Sequence, residues 1–204
     1  MAYKNLTVSR QFGSAGHTVA CLVAKELGLT YYDRNIVDII AVQTGFSPEF
    51  IAEESEYARS RSFLAYAFTS HTNPAIMGGM APADYLWTVQ RKVILEAVEK
   101  GPCVILGRCA DYILRDREDT LHVFIHANKD FRAKRITELY GDDGRSPLKR
   151  LEEKDGKRRV HYRHFTDRTW GNAENYNLSI DTSAVGIEEA AHIIARVMRT
   201  GMTD

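Results

Sequence analysis

The sequence predicts an α/β protein: a mostly parallel sheet with helices on both faces. Three observations predict it. Apolar runs of strand length near 6–9, 103–106 and 121–125 alternate with stretches of helical apolar spacing. Glycine or proline punctuates the junctions, as at Gly28, Gly45 and Gly101-Pro102. The length, 204 residues, suits one such domain with room for a small inserted subdomain. Strands joined by helical crossovers pair in parallel. Ligands of such sheets sit at the carboxyl ends of the strands. The residues that follow Val8, Tyr32, Leu106, Ile125 and Ile180 therefore carry the functional interest.

In order, Leu6, Thr7 and Val8 form a short buried strand over 6–9. Val19, Leu22, Val23 and Leu27 share one face of a helix over 18–27, which Gly28 ends. Thr30, Tyr31 and Tyr32 make a second strand. Ile36, Val37, Ile39 and Ile40 give a helix over 35–44 its apolar face. Ser47 is an N-cap and Pro48 a first helical residue for another helix over 47–61. Its Glu49, Glu53, Glu54 and Glu56 read as a solvated face. Asn73-Pro74 and Gly78-Gly79 make 69–82 largely loop. A long amphipathic helix over 84–100 leads into a central strand at 103–106. A strand over 121–125, a helix over 130–140, a basic segment, a strand over 178–180 and a helix over 187–198 complete the chain. No internal repeat or low-complexity tract is visible.

The 27 basic and 27 acidic side chains sum to zero. That argues against bulk attraction to nucleic acid. The zero conceals unlike parts. Residues 145–168 carry nine basic and four acidic side chains, a local excess of five positive charges. The simplest account of such a run is a solvated helix face. Tyr162, Phe165 and Trp170 interleave with it, which also suits a nucleic-acid surface, but acidic residues interrupt the run. Apolar runs such as Cys103-Val104-Ile105-Leu106 fall far short of the roughly 20 residues of a membrane span. Lys4 runs directly into strand-like Leu6-Thr7-Val8, so no secretory leader is expected. Three cysteines, none in CxxC spacing, cannot build a disulfide framework. These features lead us to expect a reduced, cytoplasmic protein without a membrane partner.

The loop after the first strand reads Ser9-Arg10-Gln11-Phe12-Gly13-Ser14-Ala15-Gly16-His17-Thr18. The small residues Gly13, Ser14, Ala15 and Gly16 let backbone amides curl around an anion, and the helix start adds partial positive charge. The phosphate-binding pattern G-x-x-x-x-G-K-[ST] matches in part. Gln11 stands at its first Gly, His17 at its Lys and Thr18 at its Mg²⁺-binding hydroxyl. A small-residue turn also serves many α/β folds as structure alone. The pattern's Lys neutralises charge on the outer phosphates. An imidazole is shorter and, at its ordinary pKa, mostly neutral at pH 7. Arg10, one residue before the loop, is placed to supply charge from the side.

Three stretches then carry a resemblance: 9–24, Tyr31-Tyr32-Asp33, and Gly101-Pro102-Cys103-Val104-Ile105-Leu106-Gly107-Arg108-Cys109-Ala110-Asp111-Tyr112. With Trp170-Gly171 and Tyr176-Asn177-Leu178-Ser179-Ile180-Asp181-Thr182-Ser183, the chain resembles the cytidylate kinase-like family nearly end to end. The resemblance implies a three-layer nucleoside-monophosphate-kinase-like fold, about five parallel strands, over a single domain spanning 1–204. Residues 46–82 would form an acceptor-binding subdomain and 145–168 a helical lid. It implies ATP as phosphoryl donor with Mg²⁺ on Thr18, and a nucleoside monophosphate such as CMP as acceptor. Asp33 matches an acidic residue facing that acceptor, and Gly107-Arg108 and Asp111 fall near a substrate motif in which the Asp is here displaced.

The residues support parallel readings. Arg108 has the planar fork that suits a phosphate, or a structural salt bridge. Asp33 faces the cleft, or caps the helix after it. Asp111 contacts substrate, or pairs locally with Arg108. Arg158, Arg159 and Arg163 are the candidate lid arginines, beside Arg10, for a transferring phosphoryl group. Arg159 and Arg163 share a helix face, and Asp155 stands four residues before Arg159. Such charges are worth about 10³ to 10⁵ in rate. A kinase of another small metabolite, or a nucleotide- or anion-binding protein without turnover, fits the same residues. Trp87 reads as core or as a homodimer face. Cys109 reads as packing, and His122 and His126 lack partners at zinc spacing.

Overall fold

The computed structural model describes residues 2–49, 51 and 79–201. Most of 46–82, including the acidic helix and the loop expected there, lies outside the described residues. Five strands form one sheet: β1 (Asn5–Arg10), β2 (Thr30–Tyr32), β3 (Cys103–Leu106), β4 (Thr120–His126) and β5 (Leu178–Asp181). Their order is β2-β3-β1-β4-β5 and every pairing is parallel. The helices are α1 (Gly16–Leu27), α2 (Arg34–Thr44), α3 (Pro82–Lys100), α4 (Ala110–Ile113), α5 (Lys129–Tyr140), α6 (Pro147–Thr166), α7 (Thr182–Val185) and α8 (Ile187–Thr200). The strands and long helices lie where the sequence pattern puts them, within a residue or two. The short α4 and α7, and a 3₁₀ turn at Ala173–Asn175, are too brief to show a period.

Strand alternation sends side chains to two layers. Leu6 and Val8 of β1, Val104 and Leu106 of β3, and Val123 and Ile125 of β4 face α1 and α8. Val19, Val23, Ala190, Ile194 and Met198 meet them there, all essentially inaccessible. Cys103 and Ile105, the alternate residues of β3, face Ile36 and Ile40 of α2 and Ile94 of α3. Each such side chain contributes about 1.5–3 kcal/mol by leaving water. The central strand is therefore held rigidly from both faces, and so is the loop at its end.

On the second face β1 carries a buried polar stripe: Asn5, Thr7 and Ser9. Each is satisfied. Asn5 Oδ1 accepts from the Cys103 amide at 3.3 Å, Thr7 Oγ1 lies 2.8 Å from His122 Nδ1, and Ser9 donates to Asp111 at 3.2 Å.

Helix α6 is the basic segment. Its interior face, Leu151, Asp155, Arg158, Tyr162 and Thr166, recurs at steps of four, three, four and four, the helical period. That face is mostly polar, so helix amphipathicity is inverted relative to a standard core helix. The aromatic residues interleaved with the charges pack inward. Phe165 stacks on Trp87 of α3 at 4.6 Å between ring centroids. Trp170 meets Phe124 edge-on at 5.3 Å, and Tyr162 is buried. They are fold contacts, not a stacking surface for bases. Trp87 likewise packs inside the chain.

Candidate active site

At the carboxyl end of β1 the chain leaves the sheet through Gln11, whose amide donates to the Ile125 carbonyl at 2.9 Å. The turn is closed by Ser14, which donates its hydroxyl to the Gln11 and Ile125 carbonyls at 2.9 and 3.1 Å. Thr182 donates to the Ser14 carbonyl at 2.8 Å from the start of α7. Ala15, in the left-handed region at φ 61°, turns the chain into α1, and no side chain caps that helix. The first amides of α1 therefore open onto the cleft in front of the loop, carrying the partial positive charge of the helix end.

Arg10 passes across this turn, and two glycines make room for it. A Cβ on Gly16 would lie 2.4 Å from Arg10 Cβ. A Cβ on Gly107 would lie 2.2 Å from the Arg10 guanidinium. Gly107 begins three successive left-handed residues after β3, with φ 70°, 58° and 52° at Gly107, Arg108 and Cys109. For the two non-glycine residues this conformation is strained, and such strain concentrates at functional sites. It turns buried Arg108 toward the cleft, while Gln90 Nε2 holds the Arg108 carbonyl at 3.1 Å.

A buried ion cluster fixes the loop from the other side. Asp155 of α6, 4% exposed, accepts from the Phe12 amide at 2.7 Å. It pairs with Arg132 of α5 at 2.6 Å and with Arg158 at 3.7 Å. Arg132 also donates to the Phe12 carbonyl at 3.3 Å, and Arg158 to the Arg10 carbonyl at 3.1 Å. Loop backbone on both sides of Gln11 is thus tied to α5 and α6 through one carboxylate.

The cleft enclosed by these elements has a volume of about 900 Å³. Among the described residues, seven cationic side chains line it (Arg10, Arg34, Arg108, Arg135, Arg150, Lys154 and Arg158) against three carboxylates, Asp33, Asp38 and Glu49. The imbalance, at the mouth of a loop rich in open amides, is that of an anion site. Phe12 and Tyr140 stack at 5.7 Å along its rim.

The family model for the cytidylate kinase-like family matches residues 5–184. The chain belongs to that family. Among solved structures, a protein described as uncharacterized, from Eubacterium ventriosum, is similar at 23% identity and TM-score 0.68, covering 96% of this chain and 98% of its own. Shikimate kinase from Acinetobacter baumannii is similar at 15% identity and TM-score 0.55, covering 99% and 96%. A gluconokinase from Sinorhizobium meliloti is similar at 16% identity and TM-score 0.54, covering 97% and 95%. At these identities the likeness shows the fold. No curated protein matches the sequence significantly.

Within this family fold, Gly13, Ala15, Gly16, His17 and Thr18 line the cleft together with Arg10, Asp33, Arg108 and Arg158. Ser14 is fully buried beneath the loop and acts through the turn it closes. Three sequence candidates are placed elsewhere. Arg159 and Arg163 are exposed on the outward side of α6, because the cleft face is set by Asp155 and Arg158. Asp155 correspondingly pairs with Arg132 and Arg158 rather than with Arg159. Asp111 is 3% exposed and away from the cleft lining, where it accepts from Tyr162 at 2.6 Å and from Ser9. Burial pushes its carboxyl above the usual range, while the Tyr162 and Ser9 hydroxyls hold it down. It joins β1, α4 and α6 as a structural hub. Asp33 neither caps α2 with its side chain nor stands alone: its Oδ2 is 3.5 Å from His17 Nε2.

Arg135, Arg150 and Lys154 line the cleft without having been singled out in the sequence. Arg150 and Lys154 belong to the basic run, and their spacing of eight and four residues from Arg158 was the available signal. Arg135 gave none, because it lies on another helix. It donates to Thr18 Oγ1 at 3.0 Å. That hydroxyl is the one the loop pattern assigns to Mg²⁺. In this structure it accepts from a guanidinium.

The three cysteines are unpaired by disulfides. Cys109 lies 3.7 Å from His161, and burial raises its thiol pKa well above the ordinary value. Among the described residues no group of three His, Cys, Asp or Glu is arranged to hold a metal ion, and no helix is long and apolar enough to cross a membrane.

Proposed function

We propose that this protein is a kinase that transfers the γ-phosphoryl group of ATP to a small acceptor, with a nucleoside monophosphate such as CMP as the first candidate. The observation that carries the reading is the cleft itself. Open α1 amides and, among the described residues, seven cationic side chains converge in front of a rigid loop at the carboxyl end of β1. Phosphoryl transfer needs positioning and charge stabilisation more than covalent chemistry. The loop amides would hold the donor phosphates, Arg10 and Arg158 would neutralise charge on the transferring group, and Arg108 and Asp33 would place the acceptor. Residues 46–82 and 145–168 would serve as the acceptor-binding subdomain and the lid.

One observation favours a second acceptor class. Asp33, Asp38 and Glu49 line one side of the cleft as carboxylates, which suits hydroxyl groups better than a dianionic phosphate. The same fold carries a shikimate kinase and a gluconokinase. The discriminating experiment is a coupled assay with Mg²⁺-ATP against a panel of nucleoside monophosphates and of small hydroxylated acids and sugars. Turnover of CMP or another monophosphate supports the first class, and turnover of a hydroxylated acceptor the second. No turnover above background with any acceptor would overturn the kinase reading and leave an anion-binding protein.

A further inference from the structure

The loop lacks the lysine of its pattern, and position 17 does not replace it. His17 is 62% exposed along its side chain, with Nε2 3.5 Å from Asp33 Oδ2. Its Nδ1 lies 3.9 Å from Cys21 Sγ, one turn along α1. Both ring nitrogens are thus directed to neighbours outside the loop. A cation does reach the loop from elsewhere. Arg135, on α5, places NH2 3.0 Å from Thr18 Oγ1 in the first turn of α1.

That placement has an electrostatic cost. A helix start carries partial positive charge, and cations are favoured at the opposite end. The first turn of α1 holds no acidic residue to offset it. A guanidinium beside such a helix start is favourable once an anion lies between them. Arg132, one turn earlier on the same face of α5, is committed to Asp155 and to the loop backbone. For Arg135, Thr18 is the one side-chain partner among the described residues. A guanidinium has five donors in a fork that matches phosphate oxygens.

We infer that Arg135 has taken over the part of the missing loop lysine. Its guanidinium meets the outer phosphates of the donor nucleotide at Thr18, and His17 serves the Asp33 side of the cleft. The inference rests on the kinase reading of the site and adds a residue to it. It also accounts for Thr18, whose hydroxyl positions a guanidinium where the sequence pattern expects a metal ion.

The test is calorimetric titration of the protein with ATP, inorganic triphosphate and AMP, in wild type, R135A, R135K and the double variant R135A/H17K. Thermal melts first establish that each variant is folded. R135A should weaken ATP and triphosphate by about tenfold or more, as loss of a charged hydrogen bond does. AMP, without outer phosphates, should change by no more than about twofold. R135K should fall between. The lysine of R135A/H17K should restore a large part of the lost affinity. ATP affinity unchanged in folded R135A, or lost equally for AMP, would overturn the assignment of Arg135 while leaving the kinase reading intact. A wild type that binds neither ATP nor triphosphate would overturn both.

Discussion

Replacing Asp155 tests how the loop is held. Its side chain is 5% exposed and faces Arg132 at 2.6 Å and Arg158 at 3.7 Å, themselves 8% and 9% exposed. It also accepts from the Phe12 amide. In D155A two guanidiniums, which cannot discharge by losing a proton, remain buried together, and the Phe12 amide loses its acceptor. Removing one partner of a buried ion pair costs about 3–5 kcal/mol. For a chain of this size each kcal/mol lowers Tm by about 2–4 °C, so D155A should melt about 6–20 °C lower. Calorimetry with urea titrations at constant m-value measures this. D155N keeps an acceptor for Phe12 but no charge, and should lose less than D155A. The cost is that of stranding charges and not the net worth of the cluster. A triple replacement of Asp155, Arg132 and Arg158 by methionine should accordingly be far milder than D155A alone. Loss below about 1 kcal/mol in both D155A and D155N would refute a dry, paired cluster at the loop.

Three further outcomes follow from other parts of the molecule. G107A puts a Cβ into the Arg10 guanidinium and a non-glycine residue at φ 70°; it should cost about 1–2 kcal/mol and, by moving Arg10, weaken ATP binding in the same titrations. His122 is 9% exposed, and burial, with Arg168 nearby, lowers its pKa to about 4. The unfolded chain, with an ordinary histidine near 6.5, then binds the extra proton. Stability from this residue is full above about pH 6.5 and is lost as pH falls to about 4, by about 3 kcal/mol. Urea midpoints across that range should show the loss in the wild type and a flatter profile in H122Q. Of the three thiols, Cys21 alone is partly accessible, and burial raises Cys103 to about 12; a thiol reagent should label one cysteine in the folded protein and three in urea.

The layered fold and the position of the loop were legible in the sequence because their signals are local. Apolar period, glycine stops and strand length are properties of neighbouring residues, and they placed the strands and long helices within a residue or two. The same locality explains Gly13 to Thr18: a small-residue turn between a strand and a helix can be read without knowing what it faces. The chemistry of α6 was legible only in bulk. Its excess of positive charge marked a cleft wall, but the period of its buried side is carried by Asp155, Arg158 and Tyr162, which hydropathy treats as surface. Arg159 and Arg163 are indistinguishable from Arg158 by type and spacing, and only the docking of the helix separates them.

What the sequence determined by itself is the strands and long helices among the described residues, their parallel pairing, and the turn that opens α1 toward a ligand, since these follow from backbone preference and burial within short windows. What the tertiary structure alone decided is which charges meet. Asp155 joins Arg132 across 23 residues and Phe12 across 143, and Arg135 reaches Thr18 across 117. Such pairings depend on distances of a few ångströms between separate helices, set by how the two apolar layers seat those helices on the sheet, and no periodicity along the chain encodes them.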